Sequence, residues 1–108
     1  MAASVVLKIV VLESRKHQGM PLYEWLLRQL QGMGVAGATV YRGMAGFGRH
    51  GRIHEDHFFE LAGELPLQIE SWLSAEQADS FLGLLAQHQL HLPYFRQDGE
   101  YGVSGEAV

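Results

Sequence analysis

A glycine-rich segment in the middle of the chain carries the residues best suited to bind an anion. Successive glycines allow backbone N–H groups to point into one concavity, and arginine offers a planar fork that matches phosphate oxygens. Phe47 adds a ring on which a base can stack. The pattern fits a phosphate-binding segment, but such glycine spacings are weak motifs, and on spacing alone a solvated loop of scattered charges is the favoured interpretation. The glycines and arginines of this segment are Arg42, Gly43, Gly46, Gly48, Arg49, Gly51 and Arg52.

Arg42 differs from the other two arginines because it directly follows a predicted strand. We therefore expect its backbone to be held more rigidly than that of Arg49 or Arg52. Two roles remain open for Arg42. It contacts a phosphate of the ligand, or it pairs with a carboxylate across a subunit boundary.

Three histidines of the same region, His50, His54 and His57, offer a different chemistry. Imidazole suits zinc, copper and nickel. Their spacing would bring the rings together on a helix, but the pattern indicates a loop running into a strand, where His54 and His57 point to opposite faces. A metal site is therefore an alternative hypothesis to three solvent-exposed rings. The other histidines lie in polar connections and are predicted to be surface residues: His17, His88 and His91.

Side chains that support catalysis are scarce. None of the six serines lies in a Gly-x-Ser-x-Gly elbow. Glu55 and Asp56 are adjacent carboxylates, which point apart in an extended segment. The chain has no cysteine, which excludes a cysteine nucleophile and a thiolate metal site. The sequence predicts a binding protein with no required cofactor, and not an enzyme.

The first β-α-β half of the chain precedes the glycine-rich segment. Residues 5–12 are rich in β-branched side chains and predict a buried central strand. Pro21 suits the first position of a helix, which Gly32 and Gly34 can end. Residues 38–41 form a second strand that leads into the loop.

The second half supplies a long strand, a helix and a short strand. Residues 58–61 and 65–73 read as one strand with a break near Gly63. Ser74 with Gln77 forms a capping box that begins the second helix. Residues 92–96 form the last strand, which Pro93 favours at a sheet edge. On the long strand, one face carries Leu67, Ile69, Ser71 and Leu73, and the other carries Gln68, Glu70 and Trp72.

The element order β-α-β-β-α-β predicts an α+β ferredoxin-like sandwich, with two helices on one face of a four-stranded antiparallel sheet. The opposite sheet face is then bare, and oligomerisation is the simplest way to cover Trp72. We expect one domain over residues 1–97 with a long loop at 43–57. We also expect a mobile tail over residues 98–108, where the composition is mostly glycine, glutamate, serine and alanine.

Charge and hydropathy limit the partners. The formal net charge of −4 argues against a protein whose whole surface binds nucleic acid. The longest apolar run is too short to span a bilayer, and the N-terminus lacks the features of a signal peptide. We therefore expect a cytoplasmic protein with no membrane insertion.

Three stretches of sequence together resemble one family. They are GMPLYE at 19–24, GATVYRGMAGFG at 37–48 with RIH at 52–54, and ELPLQIE at 64–70. Their order and spacing resemble the PII-like family catalogued as domain of unknown function 190. The resemblance implies a homotrimer whose loop 43–57 contacts an unknown target protein, such as a membrane transporter or an enzyme.

The resemblance also implies a small anionic ligand, an adenine nucleotide, in the clefts between subunits. The chain departs from the PII pattern at residues 87–90, which contain neither the glycine nor the lysine of the PII phosphate loop. Ligand binding would order the loop, which is predicted to be the most mobile internal region without ligand. The residues implied at the site are Arg42, Gly43, Gly46, Phe47, Gly48, Arg49, Arg52 and His54. A metal-binding trimer and a ligand-free interaction module are the alternatives.

Overall fold

A computed structural model describes residues 4–47, 53–55 and 66–106. Four strands form one antiparallel sheet in the order β4-β7-β1-β8, and the helices pack against a single face of it. The predicted α+β ferredoxin-like sandwich is confirmed. The elements are β1 (Ser4–Leu12), β2 (Lys16–His17), β3 (Met20–Pro21), α1 (Leu22–Gly32), β4 (Gly37–Arg42), β5 (Ala45–Phe47), β6 (Ile53–Glu55), β7 (Pro66–Ser74), α2 (Ala75–Gln87) and β8 (Tyr94–Gly99).

The central pair of strands, β1 and β7, supplies the sheet side of the core. Ile9 lies opposite Ile69, and alternate residues of both strands are buried, as the period of two requires. The predicted faces of β7 are confirmed, with Leu67, Ile69, Ser71 and Leu73 pointing inward. Ser71 is the polar member of this core face, and its hydroxyl donates to the Gly37 carbonyl at 3.0 Å. That bond offsets the cost of burying the hydroxyl.

Helix α1 packs on this face through Leu22, Trp25, Leu26 and Leu30. Pro21 directly precedes Leu22, the first helical residue, and so lies one place earlier than predicted. The predicted stop at Gly34 is confirmed. That residue has a φ of +73°, and its N–H donates to the Gln31 carbonyl at 3.0 Å.

Helix α2 begins at the predicted capping box. The Gln77 N–H donates to the Ser74 hydroxyl at 3.0 Å, and the Gln77 side chain accepts from the Ser74 N–H at the same distance. The Gln77 amide also donates to the Met33 carbonyl at 3.2 Å, which ties this helix to the end of α1. Ala78, Phe81 and Leu85 are buried, so the predicted apolar stripe faces the core.

The C-terminus of α2 has a Schellman motif built on a non-glycine residue. Gln89 has a φ of +54°, the Leu90 N–H donates to the Leu85 carbonyl at 2.9 Å, and the Gln89 N–H donates to the Ala86 carbonyl at 3.0 Å. Glycine adopts this left-handed conformation without the penalty that a Cβ brings.

Gln89→Gly should therefore raise the free energy of unfolding by about 1 kcal/mol, measured by chemical denaturation. Gln87→Gly is the matched control, because position 87 is the last helical residue. There the same change should lower stability by about 0.5–1 kcal/mol. Equal losses at both positions would contradict the left-handed conformation of Gln89.

The outer sheet face is bare, as predicted. Trp72 is 47% exposed and Phe95 is 62% exposed, and Tyr41 and Val10 are exposed on neighbouring strands. At one end of this face, Trp72 and Tyr101 help to line a groove of about 190 Å³, and their ring centroids are 6.1 Å apart. Exposed aromatic area of this extent is typical of an interaction surface.

Some local features differ from the sequence predictions. Before α1, β2 and β3 form a two-residue ladder that the sequence analysis did not predict. The predicted loop 43–57 contains the ladder of β5 with β6, which the glycine content did not indicate. The last strand begins at Tyr94 and reaches Gly99, beyond the predicted boundary at 97. The strand predicted at 58–61 and the break near Gly63 lie outside the described residues.

Candidate functional site at the base of the loop

The loop leaves and rejoins the sheet at one end of the central strands. Arg42, the last residue of β4, lies opposite Leu67 near the start of β7, and the Gly43 N–H donates to the Pro66 carbonyl at 2.8 Å. Leu12 of β1 lies opposite Pro66, so the end of the first strand also reaches this point. We call these residues the loop base: Leu12, Glu13, Arg42, Gly43 and Pro66.

Close approach to Pro66 explains the glycine at position 43. A Cβ at this position would lie 3.0 Å from the Pro66 Cγ and 3.3 Å from the Pro66 carbonyl oxygen. A residue with a Cβ would require Pro66 to shift by a few tenths of an ångström. Glycine therefore fits position 43 of the loop base without such a shift.

Arg42 pairs with a carboxylate of its own subunit. A guanidinium nitrogen donates to Glu13 Oε1 at 2.7 Å. The Arg42 side chain is 60% exposed and that of Glu13 is 32% exposed. This ion pair lies within one chain, and both roles left open by the sequence stay predictions. A guanidinium has five N–H donors, so the pair leaves donors of Arg42 for a further anion.

The ladder inside the loop brings three of the predicted site positions onto adjacent strands. Gly46 lies opposite His54, and Phe47 lies opposite Ile53. The remaining predicted positions lie outside the described residues: Gly48, Arg49 and Arg52 of the anion site, and His50 and His57 of the alternative metal site.

Two histidines that were predicted to be surface residues meet in the fold. His17 Nε2 lies 3.2 Å from His88 Nδ1, and both side chains are partly buried. Both rings pack on Trp25, which is 4% exposed. The surface prediction is only partly right for this pair, because the ladder of β2 with β3 folds one ring onto the end of α2 and both side chains are partly buried. It is confirmed for His91, which is exposed.

The sequence match that decides the family covers most of the fold. Residues 4–91 match the family DUF190, described as Uncharacterized ACR. This chain belongs to the DUF190 family. The resemblance drawn from the sequence is therefore confirmed.

Curated relatives of this DUF190 protein carry the family name UPF0166. A UPF0166 protein of Aquifex aeolicus is 34% identical over 77 residues, which cover 71% of this chain and 73% of the relative. A UPF0166 protein of Methanocaldococcus jannaschii is 37% identical over 70 residues, covering 65% of this chain and 64% of the relative.

A solved structure shares the fold of this DUF190 protein. It is CPII, a nitrogen regulatory PII-like protein from Thiomonas intermedia K12, bound to ADP, AMP and bicarbonate. The two structures align with a TM-score of 0.64 over 93% of this chain and 96% of CPII, at 20% sequence identity. At that identity the likeness establishes a PII-like fold.

The described part of the DUF190 protein offers neither a three-ligand metal cluster nor a membrane-spanning helix. Among residues 4–47, 53–55 and 66–106, no three histidine, aspartate or glutamate side chains are close enough together to hold a metal ion. Neither helix in these ranges is long and apolar enough to cross a bilayer.

Proposed function

We propose that this DUF190 protein is a PII-like regulator that binds an adenine nucleotide at the loop base and signals through the loop to a partner protein. The observation that carries the proposal is the ion pair of Arg42 with Glu13, which holds an exposed arginine where the loop joins the sheet. The PII-like fold, and the ADP and AMP bound to CPII, support an adenine nucleotide as the ligand. The proposed location is the cytoplasm.

The phosphate should bind at the loop base and the loop, and not at the connection after α2. The backbone N–H groups of residues 88–90 already donate to helix carbonyls, at 3.1, 3.0 and 2.9 Å. They are therefore not free to hold an anion, and the connection has neither glycine nor lysine. In the proposal, Arg42 and the loop arginines Arg49 and Arg52 contact the phosphates. Phe47 and His54 contact the base or ribose, and the backbone of Gly43, Gly46 and Gly48 permits close approach.

The Arg42–Glu13 pair gives the site a resting state without ligand. A nucleotide phosphate carries more charge than one carboxylate and accepts bidentate bonds from a guanidinium. Binding would move Arg42 from Glu13 to the phosphate and fix the start of the loop. A change of loop order on binding is a common form of switching, with coupling of about 1–3 kcal/mol. In this role the protein catalyses no reaction, and the nucleotide is released unchanged.

A homotrimer is part of this proposal. The exposed aromatic face of the sheet needs a cover, and a copy of the same chain supplies one with a matching surface. The loop base of one subunit would then border a cleft formed with its neighbour.

Thermal unfolding with AMP, ADP, ATP and inorganic phosphate tests the ligand class. A nucleotide at a hundred times its Kd should stabilise the protein by about 2.7 kcal/mol. The stabilisation should shrink at high salt, because opposite charges attract. Unfolding temperatures that are unchanged by every nucleotide at millimolar concentration would reject the proposed ligand.

A further inference from the structure

His17, Trp25 and His88 form a second cluster, separate from the Arg42–Glu13 pair. The His17 and His88 ring centroids are 5.2 Å apart. The Trp25 ring centroid lies 4.6 Å from that of His17 and 4.9 Å from that of His88. Trp25 belongs to the core, so both imidazoles pack on a side chain that the core holds in place.

Each histidine is held by a defined backbone feature. His17 ends β2 and precedes a two-residue turn in which Gln18 and Gly19 have φ values of +51° and +82°. Positive φ at both positions is typical of a type I′ hairpin turn, which fixes the strand direction. His88 is the C-cap of α2, where the Schellman motif fixes its backbone. The two rings therefore meet because of ordered backbone on both sides.

The facing nitrogens have the separation that a shared metal ion requires. His17 Nε2 and His88 Nδ1 are 3.2 Å apart. Two nitrogen ligands at about 2.0–2.1 Å from a tetrahedral zinc ion lie about 3.3 Å from each other. We propose that His17 and His88 together bind a divalent cation that prefers imidazole, namely zinc, nickel or copper.

Metal binding replaces the hydrogen bond between the rings. In the neutral pair, one ring donates its N–H to the other. When the cation enters, that proton moves to the outer nitrogen of the same ring, so both facing nitrogens present lone pairs. Since no third protein ligand is close among the described residues, water completes the coordination. Such an open site exchanges its metal readily and can accept an oxygen of a second ligand.

Trp25 provides a direct readout of this site. Nickel quenches the fluorescence of a nearby indole. Of the two tryptophans, Trp25 packs on the two histidines. The Trp72→Phe variant therefore serves as the background, because its tryptophan emission comes from Trp25 alone. The background also carries alanine at His50, His54 and His57, which removes the alternative loop ligands. In this protein nickel should quench the emission in a saturable manner, zinc should compete, and magnesium, which prefers oxygen ligands, should not.

Single replacements then identify the ligands. His17→Ala and His88→Ala should each weaken nickel binding about tenfold or more, since each removes one of two protein ligands. His91→Ala is the matched control, three residues from His88 and exposed, and should leave the affinity unchanged. Unaltered quenching in both ligand variants, or an equal loss in His91→Ala, would overturn the proposal.

Glutamine variants keep the test valid if an alanine variant does not fold. His17→Gln and His88→Gln preserve a polar side chain over Trp25 but lack the imidazole. Thermal unfolding without metal verifies that they are folded. Zinc should raise the unfolding temperature of the background protein and not that of the glutamine variants. Equal zinc stabilisation of all three proteins would also reject the site.

Discussion

Arg42→Ala should weaken adenine-nucleotide binding about ten- to a hundredfold, because a charge-assisted hydrogen bond contributes roughly 1.5–3 kcal/mol. Isothermal calorimetry with ADP measures the loss. Arg28→Ala is the matched control. Its guanidinium is also exposed and paired with a carboxylate, Glu24, at 3.2 Å, but lies on α1. The control should bind ADP as the parent protein does.

Glu13→Gln should have the opposite effect from Arg42→Ala. The amide keeps the shape of the side chain but removes the charge that competes with phosphate for Arg42. We expect ADP to bind more tightly, and the salt dependence of binding to persist, because the arginine is retained. If Arg42→Ala binds ADP normally, or if Glu13→Gln binds it less tightly, the proposal that phosphate replaces the Glu13 carboxylate at Arg42 is wrong.

The same calorimetry separates the nucleotide proposal from a metal-binding trimer that uses loop histidines. The triple replacement of His50, His54 and His57 by alanine should change ADP binding less than Arg42→Ala does. In a background with alanine at His17 and His88, a zinc site in the loop predicts the reverse, with metal binding lost in the triple variant and retained in Arg42→Ala. If no variant changes any binding, a ligand-free interaction module replaces both hypotheses.

Size-exclusion chromatography with light scattering should give three times the 12.0 kDa protomer mass. Trp72→Glu should yield monomers, because an unpaired charge buried in the interface costs about 3–5 kcal/mol per subunit. Gln31→Glu adds the same charge on an exposed position of α1 and should remain trimeric. A parent protein that elutes as a monomer at micromolar concentration would reject the intersubunit cleft as well as the trimer.

Residues with strong local preferences made the fold predictable. The alternation of Leu67, Ile69 and Ser71 with Gln68 and Glu70 was enough to assign the faces of β7, because side chains alternate across a sheet. The capping box at Ser74 placed the start of α2 correctly. Family membership followed from the stretches around the loop, which lie within the matched residues 4–91.

Contacts between distant residues could not be predicted in the same way. Nothing in the sequence near Arg42 names Glu13 as its partner, because 29 residues separate them and the β4-β7-β1 pairing brings them together. His17 and His88 are 71 residues apart and meet only through the turn after β2 and the end of α2. The sequence predicted which residue types stand near the loop base, and the sheet order determined which of them touch.

The closure of the loop base has an evolutionary consequence. The bond from the Gly43 N–H to the Pro66 carbonyl and the pairing of Arg42 with Leu67 end the sheet before the loop begins. For a connection held in this way, doubling its length costs only about 0.6 kcal/mol of closure entropy. In the proposed role, the segment between positions 43 and 66 should therefore be exchangeable as a unit. Grafting it between relatives should transfer recognition of a target while the host sheet and core remain intact.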